Sequence, residues 1–329
     1  MEIFGSTFDD SVFSEARDRV CVSLSSYSAK LCEPEWFCES VALDTDDSLE
    51  KQKVYKFRGD LAVRQGNYQK ALEAYSCCLE WIAENNLTIR RDVLEGMARC
   101  CTKLGQRDRA LELVDLLSKE ASNTCHLTSI LLLKVSIYQQ FGAVRSTMSS
   151  LQQLCSLLPF NPWHWFNLGQ TCLQLLENRT SRSCSSKSCE AAEGQIDGEA
   201  EERQEEAAEL DEDRVRLEAC TCFVRTRLLL RILRQQQSSF VLRRSESTLQ
   251  ATDEAIQRLN PTESTLQTLT EVMSEDLIPE KMREDYQDGE SLTSVCVQSF
   301  RERWWNKILL TEVLETDGGQ CQTETDTKS

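Results

Sequence analysis

With 329 residues, 40% of them hydrophobic, the chain is long enough to bury one or two cores and is not disordered throughout. A formal net charge of −17 disfavours a general nucleic-acid-binding role, because phosphate binding depends on a positive field. Only His126 and His164 are histidines and no Cys-x-x-Cys pair occurs, so no zinc site is expected, and the sixteen cysteines read as reduced thiols rather than as a disulfide scaffold.

Residues 1–50 carry twelve acids against three bases with weak periodicity, which predicts an acidic, largely disordered segment. Its start, Met1 to Phe4 followed by Asp9-Asp10, lacks the basic-then-apolar signature of a secretory signal. No run of 18 apolar residues follows anywhere, so an intracellular, soluble chain without a membrane span is expected, cytoplasmic or nuclear.

Helical patterning starts near Gln52. Between Tyr55 and Cys78 two amphipathic stretches meet at Gly66-Asn67, which predicts a helical hairpin with Gly59, Ala71 and Tyr75 at the crossing. The physical reason is close approach: small residues let two antiparallel backbones near each other, and the aromatic fills the wedge. A second copy reads Leu94, Ala98, Cys101, Gly105, Ala110, Val114 and Leu117, with the same twelve-residue step from Ala98 to Ala110. A third reads Leu131, Val135, Tyr138, Gly142, Thr147, Leu151 and Leu154, and Pro159 ends it by lacking an amide donor. Cys78, Cys101, Cys155 and Cys172 fall at core spacing, where a free cysteine acts as a small hydrophobe.

After Asn161-Pro162, which supply an N-cap and a first-turn proline, comes Trp165, Leu168, Gly169 and Cys172. Its partner helix is displaced to Leu217–Leu233, where Ala219 and Phe223 restore the alanine–aromatic pair. The intervening residues 178–213 predict a disordered acidic insertion, tolerated because loop closure entropy grows slowly with length. Residues 190–213 hold twelve acids against one base, whereas Arg214 to Arg244 contains eight arginines and one acid. A basic face of Arg225, Arg227, Arg231 and Arg234 is therefore a candidate for acidic partners or nucleic acid, shielded by the tethered acidic insertion. Beyond residue 235, helices are expected at Ser247–Leu259, Thr262–Ser274 and Val295–Leu314. The last carries an apolar stripe of Phe300, Trp304 and Ile308 with Trp305 and Leu309 beside it, read as a cap on the stack or a docking helix. Residues 315–329 are read as a disordered tail.

The hairpins resemble the tetratricopeptide repeat, through Gly59, Ala71 and Tyr75 and through Trp165, Leu168 and Gly169 in the family's W-x2-L-G-x2-Y motif, with Cys172 in place of its tyrosine. The resemblance implies an all-α solenoid of helical hairpins over 51–235, three repeats intact and one split, followed by C-terminal helices over 236–314. It also implies that helix A of each repeat lines an inner groove. On this chain the groove positions are Lys56, Asp60, Val63, Arg64, Glu95, Arg99, Thr102, Lys103, Ser136, Gln139, Gln140, Phe166, Gln170 and Leu173. The family's carboxylate clamp pairs a lysine with an asparagine four residues on; Lys56 is followed instead by Asp60. The order of features, with stretches such as Pro162 to Gly169 and Trp304-Trp305, is also similar to an uncharacterised vertebrate family known from a human chromosome 8 open reading frame.

No GxSxG, GxxxxGK[ST], GxGxxG or HExxH motif occurs, and two histidines are few for Cys-His or Ser-His catalysis. The expectation is a non-enzymatic scaffold or adaptor that binds a partner protein in the groove and needs no cofactor or metal.

Overall fold

The computed structural model describes residues 35–83, 85–186, 198–234, 239–278, 282 and 295–309, and their regular structure is entirely helical. Helices α1 (Ser48–Arg64) and α2 (Tyr68–Trp81), α3 (Leu87–Lys103) and α4 (Arg107–Lys119), and α5 (Thr124–Gln140) and α6 (Val144–Leu157) form three hairpins. Each packs on its partner and on the next helix in the chain, and the first helices of successive hairpins touch, α1 with α3 and α3 with α5. This is a solenoid of helical hairpins.

The turns explain themselves chemically. Gly66, Gly105 and Gly142 adopt φ of 76°, 78° and 66°, a region that costs a side-chain-bearing residue energy. In each case the next amide reaches back five residues, Asn67 to Ala62, Gln106 to Cys101 and Ala143 to Tyr138, at 2.8, 2.9 and 2.9 Å. A helix ended this way reverses within three residues, so its successor must pack antiparallel to it.

Small residues sit where the sequence places them: Ala71, Ala98, Ala110 and Ala219 are fully buried. A Cβ built on Gly59 would lie 2.4 Å from the Tyr75 ring, and one on Gly169 would lie 2.9 Å from that of Phe223. Thr147, which stands where the repeat resemblance calls for alanine, is buried with its hydroxyl donating to the Ala143 carbonyl at 3.1 Å, so the extra polar atom is satisfied. Helix α5 is apolar almost all round because it serves two cores: Ile130, Leu133 and Ile137 face the first two hairpins, Leu131 and Val135 the rest of the molecule.

The fourth hairpin differs from its sequence reading. Helix α7 runs from Pro162 to Ser186 and α8 from Gly198 to Arg234, so most of 178–213 is helix and not a disordered insertion; residues 187–197 lie outside the described set. The signal missed is length. Asn178 to Ser186 continues α7 with residues too polar to show a core stripe, and Arg179 joins Asp211 of α8 at 2.5 Å.

Helices α9 (Ser239–Leu259) and α10 (Glu263–Ser274) pack on α8. Helix α11 (Val297–Phe300), which continues as a π-helical turn over Arg301–Trp305, packs on α6. The wider turn explains how two consecutive tryptophans both enter the core. Phe300 meets Trp304 four residues on at 5.0 Å and Trp305 five residues on at 5.1 Å. With Trp165 lying 5.5 Å from Phe300 and 5.1 Å from Trp304, the C-terminal stripe is sealed inside the molecule. Residues 310–314 of that predicted helix fall outside the described residues, as do residues 1–34 and the predicted tail at 315–329. Within the predicted acidic segment, 35–47 forms two 3-10 turns, Trp36–Cys38 and Ser40–Leu43. Arg58 holds them on α1 by donating to the carbonyls of Phe37 and Glu39 at 2.6 and 2.9 Å.

Candidate functional site

The inner surface made by α1, α3 and α5 contains a hollow of about 300 Å³. Of the predicted groove residues, Val63, Arg99, Thr102, Lys103, Ser136 and Gln140 line it together. Thr102 contributes backbone more than side chain: its hydroxyl is buried against the Ala98 carbonyl at 2.7 Å, and its own carbonyl accepts from the Gln140 amide at 2.7 Å. Glu95 lines a second hollow of about 180 Å³ between α3 and α5, which shares Leu133 with the first.

Lys56 and Asp60 stand behind the wall. Asp60 accepts from Lys56 Nζ at 2.9 Å and from the Tyr75 hydroxyl at 2.8 Å. Burial and that acceptor push the Tyr75 phenol far above its ordinary range, so it is neutral at any physiological pH. Arg64 and Gln139 are exposed at the margins of α1 and α5. Phe166, Gln170 and Leu173 are not part of either hollow; on α7, Phe166 packs edge-on against Phe223 at 6.0 Å and belongs to the second core.

Five lining residues were not anticipated: Tyr68, Tyr75, Gly96, Cys100 and Leu133. Gly96 was the readable signal. A glycine inside a helix costs about 1 kcal/mol relative to alanine and therefore marks a close approach. A Cβ there would sit 3.0 Å from the Tyr75 ring, which is thus held between Gly59 of α1 and Gly96 of α3 and turns one edge toward the hollow.

The arginines of α8 do not make one face. At 100° per residue, Arg227, Arg231 and Arg234 share a side of the helix and Arg225 points to the opposite one. Arg225 is fully buried, donating to the carbonyls of Met273 and Pro159 and paired with Asp276, and its guanidinium lies 5.5 Å from the Phe160 ring. It is a structural group, which corrects its assignment to a partner-binding face. Arg227 is mostly covered and lies 3.9 Å from Asp253, while Arg234 is exposed and 3.5 Å from Glu246. Shielding by the acidic insertion also fails on geometry. The acids from Glu199 to Asp213 lie on one continuous helix with the buried Arg225, the last of them about 18 Å from it along the axis at 1.5 Å per residue.

The core cysteines behave as hydrophobes. Cys78, Cys101, Cys155 and Cys172 are fully buried, and burial raises the thiols of Cys78, to about 11, and of Cys101 and Cys155. Such thiols are protonated and poor nucleophiles or metal ligands. His164 is buried on α7, and desolvation lowers it to about 4, so it is neutral near pH 7. Among the described residues no helix is long and apolar enough to cross a membrane.

The model of a family of unknown function, DUF5588, matches residues 2–195 and 171–309 of this chain. The chain is 34% identical to the uncharacterized protein C8orf76 of Homo sapiens, over 93% of this chain and 93% of that protein. It is 31% identical to the C8orf76 homolog of Rattus norvegicus at the same coverage. These similarities span all four hairpins and the C-terminal helices, and they bear out the resemblance read from Pro162 to Gly169 and Trp304-Trp305: the chain is a member of the DUF5588 family.

Proposed function

We propose that this protein is a non-enzymatic scaffold that binds a segment of a partner protein on the inner surface formed by α1, α3 and α5. The observation that carries the reading is the hollow of about 300 Å³ whose wall draws on all three hairpins. It combines an apolar floor, Val63, Leu133 and the edge of Tyr75, with polar groups at its mouth, Ser136, Gln140 and Lys103. Concave sites of this size, mostly apolar with few polar groups, are where proteins take up ligands. The apolar surface of the fourth hairpin, by contrast, is covered by the chain's own C-terminal helices.

A photo-reactive amino acid at Ser136, compared with one at Glu112 on the exposed side of α4, tests this in cell extract. A discrete adduct formed from Ser136 and not from Glu112 supports the reading. Equal labelling at both positions, or none at Ser136, counts against it.

A further inference from the structure

The hollow on the inner surface has a chemistry that selects among ligands. No carboxylate among the described residues lines it, and the two on α1 and α3 beside it are engaged. Asp60 is held by Lys56 and the Tyr75 hydroxyl, and Glu95 accepts from both Nε and Nη2 of Arg99 at 2.9 and 2.7 Å. Lys103 is exposed at the mouth and has no carboxylate partner among the described residues. Gln140 gives one amide N–H to the Thr102 carbonyl and keeps the second N–H and its side-chain oxygen. An incoming chain therefore meets one unpaired cation, the polar groups of Gln140 and Ser136, and no carboxylate at an apolar recess.

Given the binding role proposed for the inner surface, on which the ligand class rests, we infer that this hollow takes an extended peptide segment of a partner protein in which a large apolar side chain is followed closely by a carboxylate. The apolar side chain seats on Leu133, Val63 and the edge of the Tyr75 ring, which packs against Gly96. The carboxylate pairs with the Lys103 ammonium at the mouth. A segment with lysine or arginine at that place meets the Lys103 ammonium without compensation, and like charges at an interface suppress the wrong partner.

Selection of a phage-displayed random peptide library on the full chain reads this preference directly. The expected consensus is Phe, Leu or Met followed within one or two residues by Asp or Glu. A synthetic peptide of that consensus should bind about tenfold more weakly to Lys103→Glu. Both Lys103 and Ser136 are exposed, so Lys103→Glu and Ser136→Phe should melt like the wild type, and Ser136→Phe should abolish binding by filling the recess. A basic or uncharged consensus that Ser136→Phe still abolishes overturns the ligand class and leaves groove binding standing. Enriched peptides indifferent to both substitutions overturn the groove itself, and failure to enrich any sequence overturns the ligand class.

Discussion

Tyr75 shows how one side chain fixes the spacing of two hairpins. Its ring lies between Gly59 and Gly96 and its hydroxyl donates to Asp60, so any added methyl at Gly59 must displace it. Gly59→Ala should cost about 1–3 kcal/mol in urea unfolding, the usual penalty of overpacking. In a Tyr75→Leu background the same substitution should cost clearly less, because the two positions are coupled through contact. Additive effects would contradict the wedge. His164 supplies a second test. Its pKa falls from 6.5 to about 4 on folding, so the unfolded chain binds the proton first. Stability from this group is complete above about pH 6.5 and falls as the pH drops toward 4. On going from pH 7.5 to 5, wild type should lose roughly 2 kcal/mol more than His164→Gln. At this scale much was legible: the resemblance to the tetratricopeptide pattern placed Ala71, Ala110, Ala219 and Phe223. The buried histidine's state was not, because it depends on neighbours from other helices.

Among elements, α8 departs furthest from its sequence. Its amino-terminal part is acidic and its carboxy-terminal part arginine-rich, a distribution that favours a continuous helix, since acids near the first turns and bases near the last complement the backbone dipole. Read as composition, the same charges looked like a loop beside a basic patch. Helical phase separates Arg225 from its neighbours, and that phase was available in the sequence; its acceptor Asp276, 51 residues away, was not. Arg225→Ala takes from the Met273 carbonyl and from Asp276 their close donor and should cost roughly 3–5 kcal/mol. Arg225→Lys should rescue little, because an ammonium cannot reproduce the planar fork. Arg231→Ala, on the exposed side, should stay within about 0.5 kcal/mol of wild type. Comparable losses at Arg225 and Arg231, measured by denaturant titration, would contradict the assignment of Arg225 as the tie between α8 and α10.

At the level of the whole molecule, three glycine-ended hairpins stack through α1, α3 and α5, and the C-terminal helices close the far side around Trp165. The repeat pattern carried that architecture, because each hairpin repeats the same local rules. It did not carry the extent of the open surface. Phe166, Gln170 and Leu173 looked like groove positions by analogy with the other first helices, yet they lie on α7, outside both hollows, and Phe166 packs on Phe223 in the second core. The most direct measurement compares partner capture by three forms of the full chain: wild type, the groove variant Arg99→Glu with Lys103→Glu, and the outer-face variant Glu112→Lys with Asp115→Lys. All three should melt alike, since every substituted side chain is exposed. The groove variant should lose partners that wild type and the outer-face variant both retain. The same partners on all three forms, or their loss from the outer-face variant alone, would contradict a binding role for the inner surface.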